Sequence, residues 1–114
     1  MKGRDAEQMA ADYLMRQGLV LRERNYRCRF GEIDLIMSDA GRLVFVEVRM
    51  RTSEAFGGAA GSITFTKKNR LLRAARHYLS SRLDTEPACR FDVVLITGAR
   101  NPVINWIRNA FGES

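Results

Sequence analysis

Long apolar runs, clustered histidines and clustered cysteines are all missing from this 114-residue sequence. No stretch approaches the roughly 18 consecutive apolar residues that a membrane-spanning helix needs. The polar segment 1–14 acquires charges at once and does not resemble a secretory leader. Cys28 and Cys89 lie far apart and His77 is the only histidine, so metal binding through sulfur is not expected. We therefore expect a cytoplasmic protein with reduced thiols that does not enter a membrane.

Acidic residues are scarce relative to basic ones. The chain has 13 Asp and Glu against 19 Lys and Arg, a formal net charge of +6, and arginine supplies most of the positive charge. Because the planar guanidinium matches two phosphate oxygens at once, this composition favours a nucleic-acid partner. A merely soluble basic surface, or a genome that prefers arginine codons, would produce the same composition.

Repeats, low-complexity tracts and linkers are also missing, so we predict a single domain over residues 1–114. Hydrophobic spacing gives the element order α-β-β-β-α-β-β, which is the order of an α/β domain with a mixed sheet flanked by helices. The predicted elements are a helix over 4–17, a strand over 19–29 with a bend near Asn25, two strands within 31–51, a helix over 67–83, and strands over 91–96 and 103–107.

Four local features complete this prediction. Thr66 is expected to cap the second helix, and the glycine-rich segment 52–65 is expected to be a mobile loop. Residues 108–111 are expected to form a closing turn of helix. Asp92, inside a buried strand, is expected to form a structural ion pair with Arg90.

Two carboxylates interrupt the apolar strands of the predicted hairpin. Strand side chains alternate faces, and a four-residue loop over residues 39–42 pairs Ser38 with Leu43. This register places Asp34 opposite Glu47. Two ionised carboxylates about 5.5 Å apart repel by about 3 kcal/mol at an effective dielectric near 20, so something must compensate them.

The same register assigns partners to the residues that precede Asp34. It places Glu32 opposite Arg49, and it places Ile33 opposite Val48 on an entirely apolar face. A slip of one residue would expose that face, so the register is well specified.

Two carboxylates that converge beside a cation offer the oxygen ligands that Mg²⁺ takes, together with waters and a substrate phosphate. A metal placed there would activate water and neutralise charge at a phosphorus centre. An exposed hairpin face with ordinary ion pairs would use the same residues. The hairpin alone does not decide between a metal site and structural ion pairs.

The spacing of these residues resembles a nuclease motif. Asp34, twelve residues and then Glu47-Val48-Arg49 are similar to the D…(D/E)xK arrangement of restriction-endonuclease-like nucleases. The chain resembles the YraN-like family of bacterial proteins more closely still, over nearly its whole length. The segments that carry this resemblance are AEQMAADYL (6–14), GEIDLI (31–36), LVFVEVRMR (43–51), a lysine at 67 or 68, and RFDVV (90–94).

The resemblance implies a restriction-endonuclease-like core and a metal-dependent nuclease acting on DNA or RNA phosphodiesters. Asp34 and Glu47 would hold Mg²⁺ or Mn²⁺, and Arg49 would stabilise the transition state. Glu7 would ligate the metal or orient a water, although an acid near a helix N-terminus also suits the helix dipole alone. Arg49 stands where the nuclease motif has lysine, and an arginine cannot act as a base. Nuclease folds of this size commonly dimerise, and the sequence leaves open whether this chain is a monomer or a homodimer.

Basic residues of the second helix supply the predicted nucleic-acid contacts. Lys67 and Lys68 lie in its first turn, where a bound phosphate would relieve their repulsion from the helix dipole. Arg70 and Arg73 lie on its basic face. A solvated lysine pair is the simpler alternative. Two other functions stay open beside the nuclease: a non-catalytic nucleic-acid-binding module with the same fold and, more distantly, a protein-interaction domain.

Overall fold

Two helices and five strands follow one another along the chain. The computed structural model describes residues 3–51, 63–82, 88–98 and 100–111. The elements are α1 (Gly3–Arg16), β1 (Val20–Cys28), β2 (Gly31–Asp39), β3 (Arg42–Arg51), α2 (Phe65–Arg82), β4 (Cys89–Thr97) and β5 (Val103–Phe111). The strands form one sheet in the order β1-β2-β3-β4-β5, with β3 and β4 parallel and the other neighbours antiparallel. The predicted α/β class and element order are confirmed.

The two helices cover opposite faces of the sheet, because strand side chains alternate between two apolar faces. On one face, α1 packs Ala6, Ala10, Ala11 and Leu14 against Leu35, Met37, Val44, Val46, Val94 and Ile96. On the other face, α2 packs Leu71, Ala74, Ala75, Tyr78 and Leu79 against Ile33, Ile36, Leu43, Phe45 and Phe91. Neither of these helices is long and apolar enough to cross a membrane.

The cap of α2 is Thr64, so the prediction of Thr66 is wrong. The Lys67 amide donates to Thr64 Oγ1 at 3.1 Å, and the Lys68 amide donates to the Thr64 carbonyl at 2.9 Å. The helix therefore begins at Phe65, and Thr66 lies inside its first turn. Of the predicted mobile loop, residues 52–62 lie outside the described residues.

The hairpin between β2 and β3 has the predicted register and a tighter turn. Ser38 pairs with Leu43 as predicted, but the ladder extends one pair further, so the loop consists of Ala40 and Gly41. Their φ angles of 51° and 86° match the type I′ turn that two-residue hairpins favour. The shorter loop does not change the predicted pairs from Leu35–Val46 to Ser38–Leu43.

The C-terminal segment is strand as far as Phe111, so the predicted helical turn over residues 108–111 is wrong. Phe111 pairs with Phe91 of β4, and their rings stack with centroids 5.1 Å apart. Asn109 has a φ of 51° where this ladder is irregular. The neighbouring β4 offers this segment a ladder of hydrogen bonds and an apolar surface, and this tertiary contact outweighs local preference.

Asp92 is a fully buried carboxylate that ties β4 to β5. Its oxygens accept hydrogen bonds from Trp106 Nε1 at 2.8 Å, the Asn109 amide at 2.9 Å and Arg90 Nε at 3.1 Å. Arg90 also contacts Asp39 at 3.0 Å. The predicted ion pair of Asp92 and Arg90 is confirmed, and its other partners explain how a charge is accommodated inside the sheet.

We expect Asp92→Asn to lower the free energy of unfolding by about 3–5 kcal/mol, as when one partner of a buried ion pair is removed. The side-chain NH₂ group introduced by this substitution would face N–H groups of Trp106, Asn109 and Arg90, which are themselves donors. Urea unfolding followed by circular dichroism measures the loss. The matched control is Asp39→Asn, because Asp39 also pairs with Arg90 but is 31% exposed, so about 1 kcal/mol or less is expected. Equal losses for the two variants would contradict this assignment.

Candidate functional site

The site begins where β2 and β3 separate. Their ladder ends at the pair Leu35–Val46. Just beyond it, Asp34 Oδ2 accepts a hydrogen bond from the Val48 amide at 2.8 Å, so a side chain takes the place of a strand carbonyl. On the β1 side, Asn25 lies between the pairs that flank Asp34 and has a φ of 50°, which confirms the predicted bend. The Asp34 carboxyl group therefore lies in the gap between two strands.

The separation of the strands also changes the surroundings of Glu32 and Ile33, which precede Asp34 in β2. Ile33 is buried on the α2 face, whereas Val48 packs on the α1 face, so their predicted pairing is wrong. Glu32 forms an ion pair with Arg27 of β1 at 3.4 Å, and the ladder that would pair it with Arg49 stops before reaching it. Strict alternation fails here because Asp34 leaves the regular ladder.

Glu47 is a buried carboxylate with 3% of its side chain exposed. Its Oε2 atom lies 2.8 Å from Lys67 Nζ and 3.7 Å from a terminal nitrogen of Arg49. Lys67 is in the first turn of α2, so the Thr64 cap helps to set where its ammonium group lies. Removing an ionised carboxylate from water costs several kcal/mol, and these two cations offset that cost.

The Asp34 carboxyl group has a pKa well above that of an ordinary aspartate. Burial, followed by repulsion from Glu47, raises the pKa of Asp34 from its ordinary value of 3.8 to about 8. A hydrogen bond with the Glu47 carboxylate and the charge of Glu7 add to this rise, and the Val48 amide opposes it. A proton on Asp34 removes the repulsion that two facing carboxylates would otherwise produce.

Glu7 and Glu32 complete a cluster of acids around Asp34. One carboxylate oxygen of each of these three residues lies within 4.8 Å of the other two. Glu7 reaches the cluster from α1, and Glu32 reaches it from β2. The sequence prediction did not include Glu32 as a ligand. The signal was present in the E-x-D spacing, which places Glu32 on the same side of a strand as Asp34, but the assumed pairing with Arg49 concealed it.

Five of the predicted functional residues line a single pocket, which we call the acidic pocket. They are Glu7 from α1, Asp34 from β2, Glu47 and Arg49 from β3, and Lys67 from α2. Four elements of the fold therefore meet at one point. Lys67 was predicted as a phosphate contact, and in the folded chain its closest partner is Glu47.

The other predicted nucleic-acid-binding residues lie elsewhere. Arg70 and Arg73 line a second pocket. Lys68 Nζ lies 5.8 Å from the centroid of the Phe111 ring. Because successive residues of a helix point about 100° apart, the predicted basic group divides between different surfaces.

Comparison with known sequences identifies close relatives of this chain. The family described as Uncharacterised protein family UPF0102 matches residues 6–96, which include every charged residue of the acidic pocket. A UPF0102 protein of Nitrosomonas europaea is 63% identical over 99% of this chain and 95% of its own length. Those of Nitrosospira multiformis and Ralstonia pickettii are 60% and 52% identical, over 97% and 96% of this chain and 92% and 89% of their own lengths. The resemblance to YraN-like proteins is thereby confirmed: the chain belongs to the UPF0102 family.

Proposed function

We propose that this protein is a metal-dependent nuclease that hydrolyses phosphodiester bonds of DNA or RNA. The observation that carries the proposal is the convergence of Glu7, Asp34 and Glu47 with Lys67 and Arg49 in the acidic pocket. Acids alone would repel a phosphate, and cations alone would bind it without activating water. Their combination resembles the motif of restriction-endonuclease-like nucleases, and a five-stranded mixed sheet between two helices is compatible with that core.

The acids in and beside the acidic pocket fit a hard divalent cation such as Mg²⁺ or Mn²⁺. These metals take carboxylate oxygens and waters, and Glu7, Glu32 and Asp34 bring three such oxygens within 4.8 Å of one another. Burial and the neighbouring Glu47 carboxylate raise the pKa of Asp34, and a divalent cation beside it would favour the ionised form. When bound, the cation would lower the pKa of a water and neutralise charge that develops on the phosphoryl group.

The chain's own cations would handle the substrate. Glu47 holds the Lys67 ammonium group at 2.8 Å, so this group is oriented at the pocket, where it can donate to a water or a phosphate oxygen. Arg49 would bind two phosphate oxygens with its planar fork. Lys67 also accounts for the departure from the nuclease motif, because α2 supplies the ammonium group that the motif places at the position of Arg49.

A non-catalytic nucleic-acid-binding module is the second candidate, and the Lys67–Glu47 ion pair is the observation that favours it. This pair offsets the charge of Glu47 without a metal. The acidic pocket could then lie beside a bound phosphate without a metal and without a catalytic role. Cleavage measurements separate the two candidates.

We expect the protein with Mn²⁺ to cleave at least one member of a panel of labelled DNA and RNA single strands, duplexes, flaps and junctions. Lys67→Ala and Glu47→Gln should each lower the single-turnover rate by about 100-fold or more, as when a preorganised charge is removed. Arg49→Lys should stay within about tenfold of wild type, because both side chains are cationic. Arg16→Ala is the control and should keep the wild-type rate, since it removes a positive charge at the exposed end of α1, outside both pockets.

Two outcomes would contradict the nuclease. Binding of the substrates in Mn²⁺ without cleavage of any would favour the non-catalytic module. Neither binding nor cleavage would favour the protein-interaction domain.

The proton on Asp34 should make the stability of the metal-free protein depend on pH. Between about pH 4 and pH 8 the unfolded chain releases this proton and the folded chain keeps it, so stability falls as the pH rises. Asp34→Asn removes the titration and keeps an oxygen for the Val48 amide. Its free energy of unfolding, relative to wild type, should therefore increase across this range. Urea unfolding in EDTA measures this difference in free energy. The control is Asp5→Asn, at an exposed position, whose stability should show the same pH dependence as wild type. A constant difference would mean that Asp34 is ionised at neutral pH.

Mn²⁺ binding should displace the same proton. Calorimetric titrations near pH 7 in buffers of different ionisation enthalpy should detect about one proton released per metal bound. We expect an affinity in the millimolar range or tighter. Asp34→Asn should weaken binding and abolish the proton release, and Glu32→Gln should weaken binding while the release persists. If a variant carrying both Asp34→Asn and Glu47→Gln keeps the wild-type affinity for Mn²⁺, these two acids do not bind the metal and have a structural role.

A further inference from the structure

A second pocket, on a different face of α2 from Lys67, combines arginines with phenylalanines, and we call it the basic aromatic pocket. It is lined by Arg29 and Phe30, which follow β1, and by Phe65, Thr66, Arg70 and Arg73 of α2. None of the residues lining it is acidic. Among the described residues, no carboxylate lies within ion-pair distance of its three arginines. Within the part of the chain that the structure describes, the pocket is therefore a concentrated positive site without a compensating carboxylate.

A close backbone contact joins the two halves of this pocket. A Cβ atom on Gly31 would lie 3.4 Å from the Cβ of Arg70, and Gly31 has a φ of 155°, which side chains rarely allow. The turn between β1 and β2 therefore packs directly on α2. This packing brings Arg29 and Phe30 beside Arg70 and Arg73.

One aromatic side chain of the pocket, Phe65, is open to a partner, whereas Phe30 is half-buried. Phe65 is 79% exposed, more than any other large hydrophobic side chain of the described residues. The guanidinium of Arg29 lies over the Phe30 ring, 4.8 Å from its centroid. An exposed ring beside arginines suits unpaired bases, which stack on aromatic rings while arginines contact the backbone. An apolar protein partner would gain nothing from burying three cations.

We infer that the basic aromatic pocket binds a single-stranded segment of nucleic acid, DNA or RNA, next to the bond that the acidic pocket would cleave, an inference that rests on the proposed function. A base stacks on Phe65, and the arginines contact the phosphates on either side. A duplex is disfavoured, because its bases are already stacked on one another. Thr66 and Lys67 are consecutive residues that line the two pockets, so one strand crossing the first turn of α2 reaches both.

Fluorescence anisotropy with a labelled oligothymidylate, measured in EDTA so that no strand is cut, tests the pocket independently of cleavage. The protein should bind this strand more tightly than its duplex with oligoadenylate, and labelled oligouridylate gives the same comparison for RNA. Phe65→Ala should weaken single-strand binding by at least about fivefold, the lower end of the loss for one stacked base. Phe65→Trp should retain binding. Val103→Ala, which trims another exposed apolar side chain on β5, is the matched control.

Two further measurements separate stacking from charge. On an abasic strand of the same length, wild type and Phe65→Ala should bind equally, because no base remains to stack. Arg70→Ala and Arg73→Ala should each reduce the slope of log affinity against log salt by about 0.7, the value for one single-strand phosphate contact. Arg16→Ala, at the exposed end of α1, should leave the slope unchanged.

Failure of this inference is distinguishable from failure of the nuclease. Equal single-strand affinity for wild type and Phe65→Ala, or tighter binding of the duplex, would overturn the inference even where cleavage is observed. Single-strand binding that depends on Phe65, without cleavage of any substrate, would support the pocket and reject the nuclease.

Discussion

The carboxyl group of Asp34 lies in the gap between β2 and β3 and accepts the hydrogen bond of the Val48 amide. The geometry of the acidic pocket depends on this contact. Two strands can part inside a protein only where their backbone amides find other partners, because an unpaired buried amide costs about 1–3 kcal/mol. Asp34 supplies such a partner. The separated strands leave room for Glu7 of α1 to approach Asp34 and for Lys67 of α2 to approach Glu47.

The charges of the acidic pocket balance incompletely. The charge of Glu47 is offset by Lys67 and Arg49. The pKa of Asp34 is raised by burial and by Glu47, and Glu7 and Glu32 lie close by. A chain selected for stability alone would gain from apolar residues at these positions, since burying charged groups rarely adds to stability. Places where a sequence breaks the rules of good packing are often the places where it functions. This imbalance is the physical basis for proposing a cation and an anionic substrate there.

Helix α2 connects the two pockets. Its start is set by the Thr64 cap, and its side is held against the β1–β2 turn by the contact of Gly31 with Arg70. From this fixed position, Lys67 points into the acidic pocket and Phe65 lines the basic aromatic pocket. Chemistry and strand binding would then occupy different faces of one rigid element, which favours precise placement of a substrate.

The hydrophobic pattern by itself determined the order of the elements, the bend at Asn25, the register of the hairpin and the meeting of Asp34 with Glu47. These features follow from local periods of two or 3.6 residues, which a single sequence displays directly. The same pattern failed at residues 108–111, where pairing with β4 turned a predicted helical turn into strand.

Only the tertiary structure decided which cation meets Glu47, which acids join Asp34 and where Ile33 packs. Each of these depends on how α1 and α2 pack on opposite faces of the sheet. Lys67 and Glu47 are 20 residues apart in sequence, and Glu7 and Glu32 are 25 residues apart. The raised pKa of Asp34 is likewise a property of burial and of neighbouring charges. Burial and proximity exist only once distant segments have packed together, and therefore no local pattern in the sequence encodes them directly.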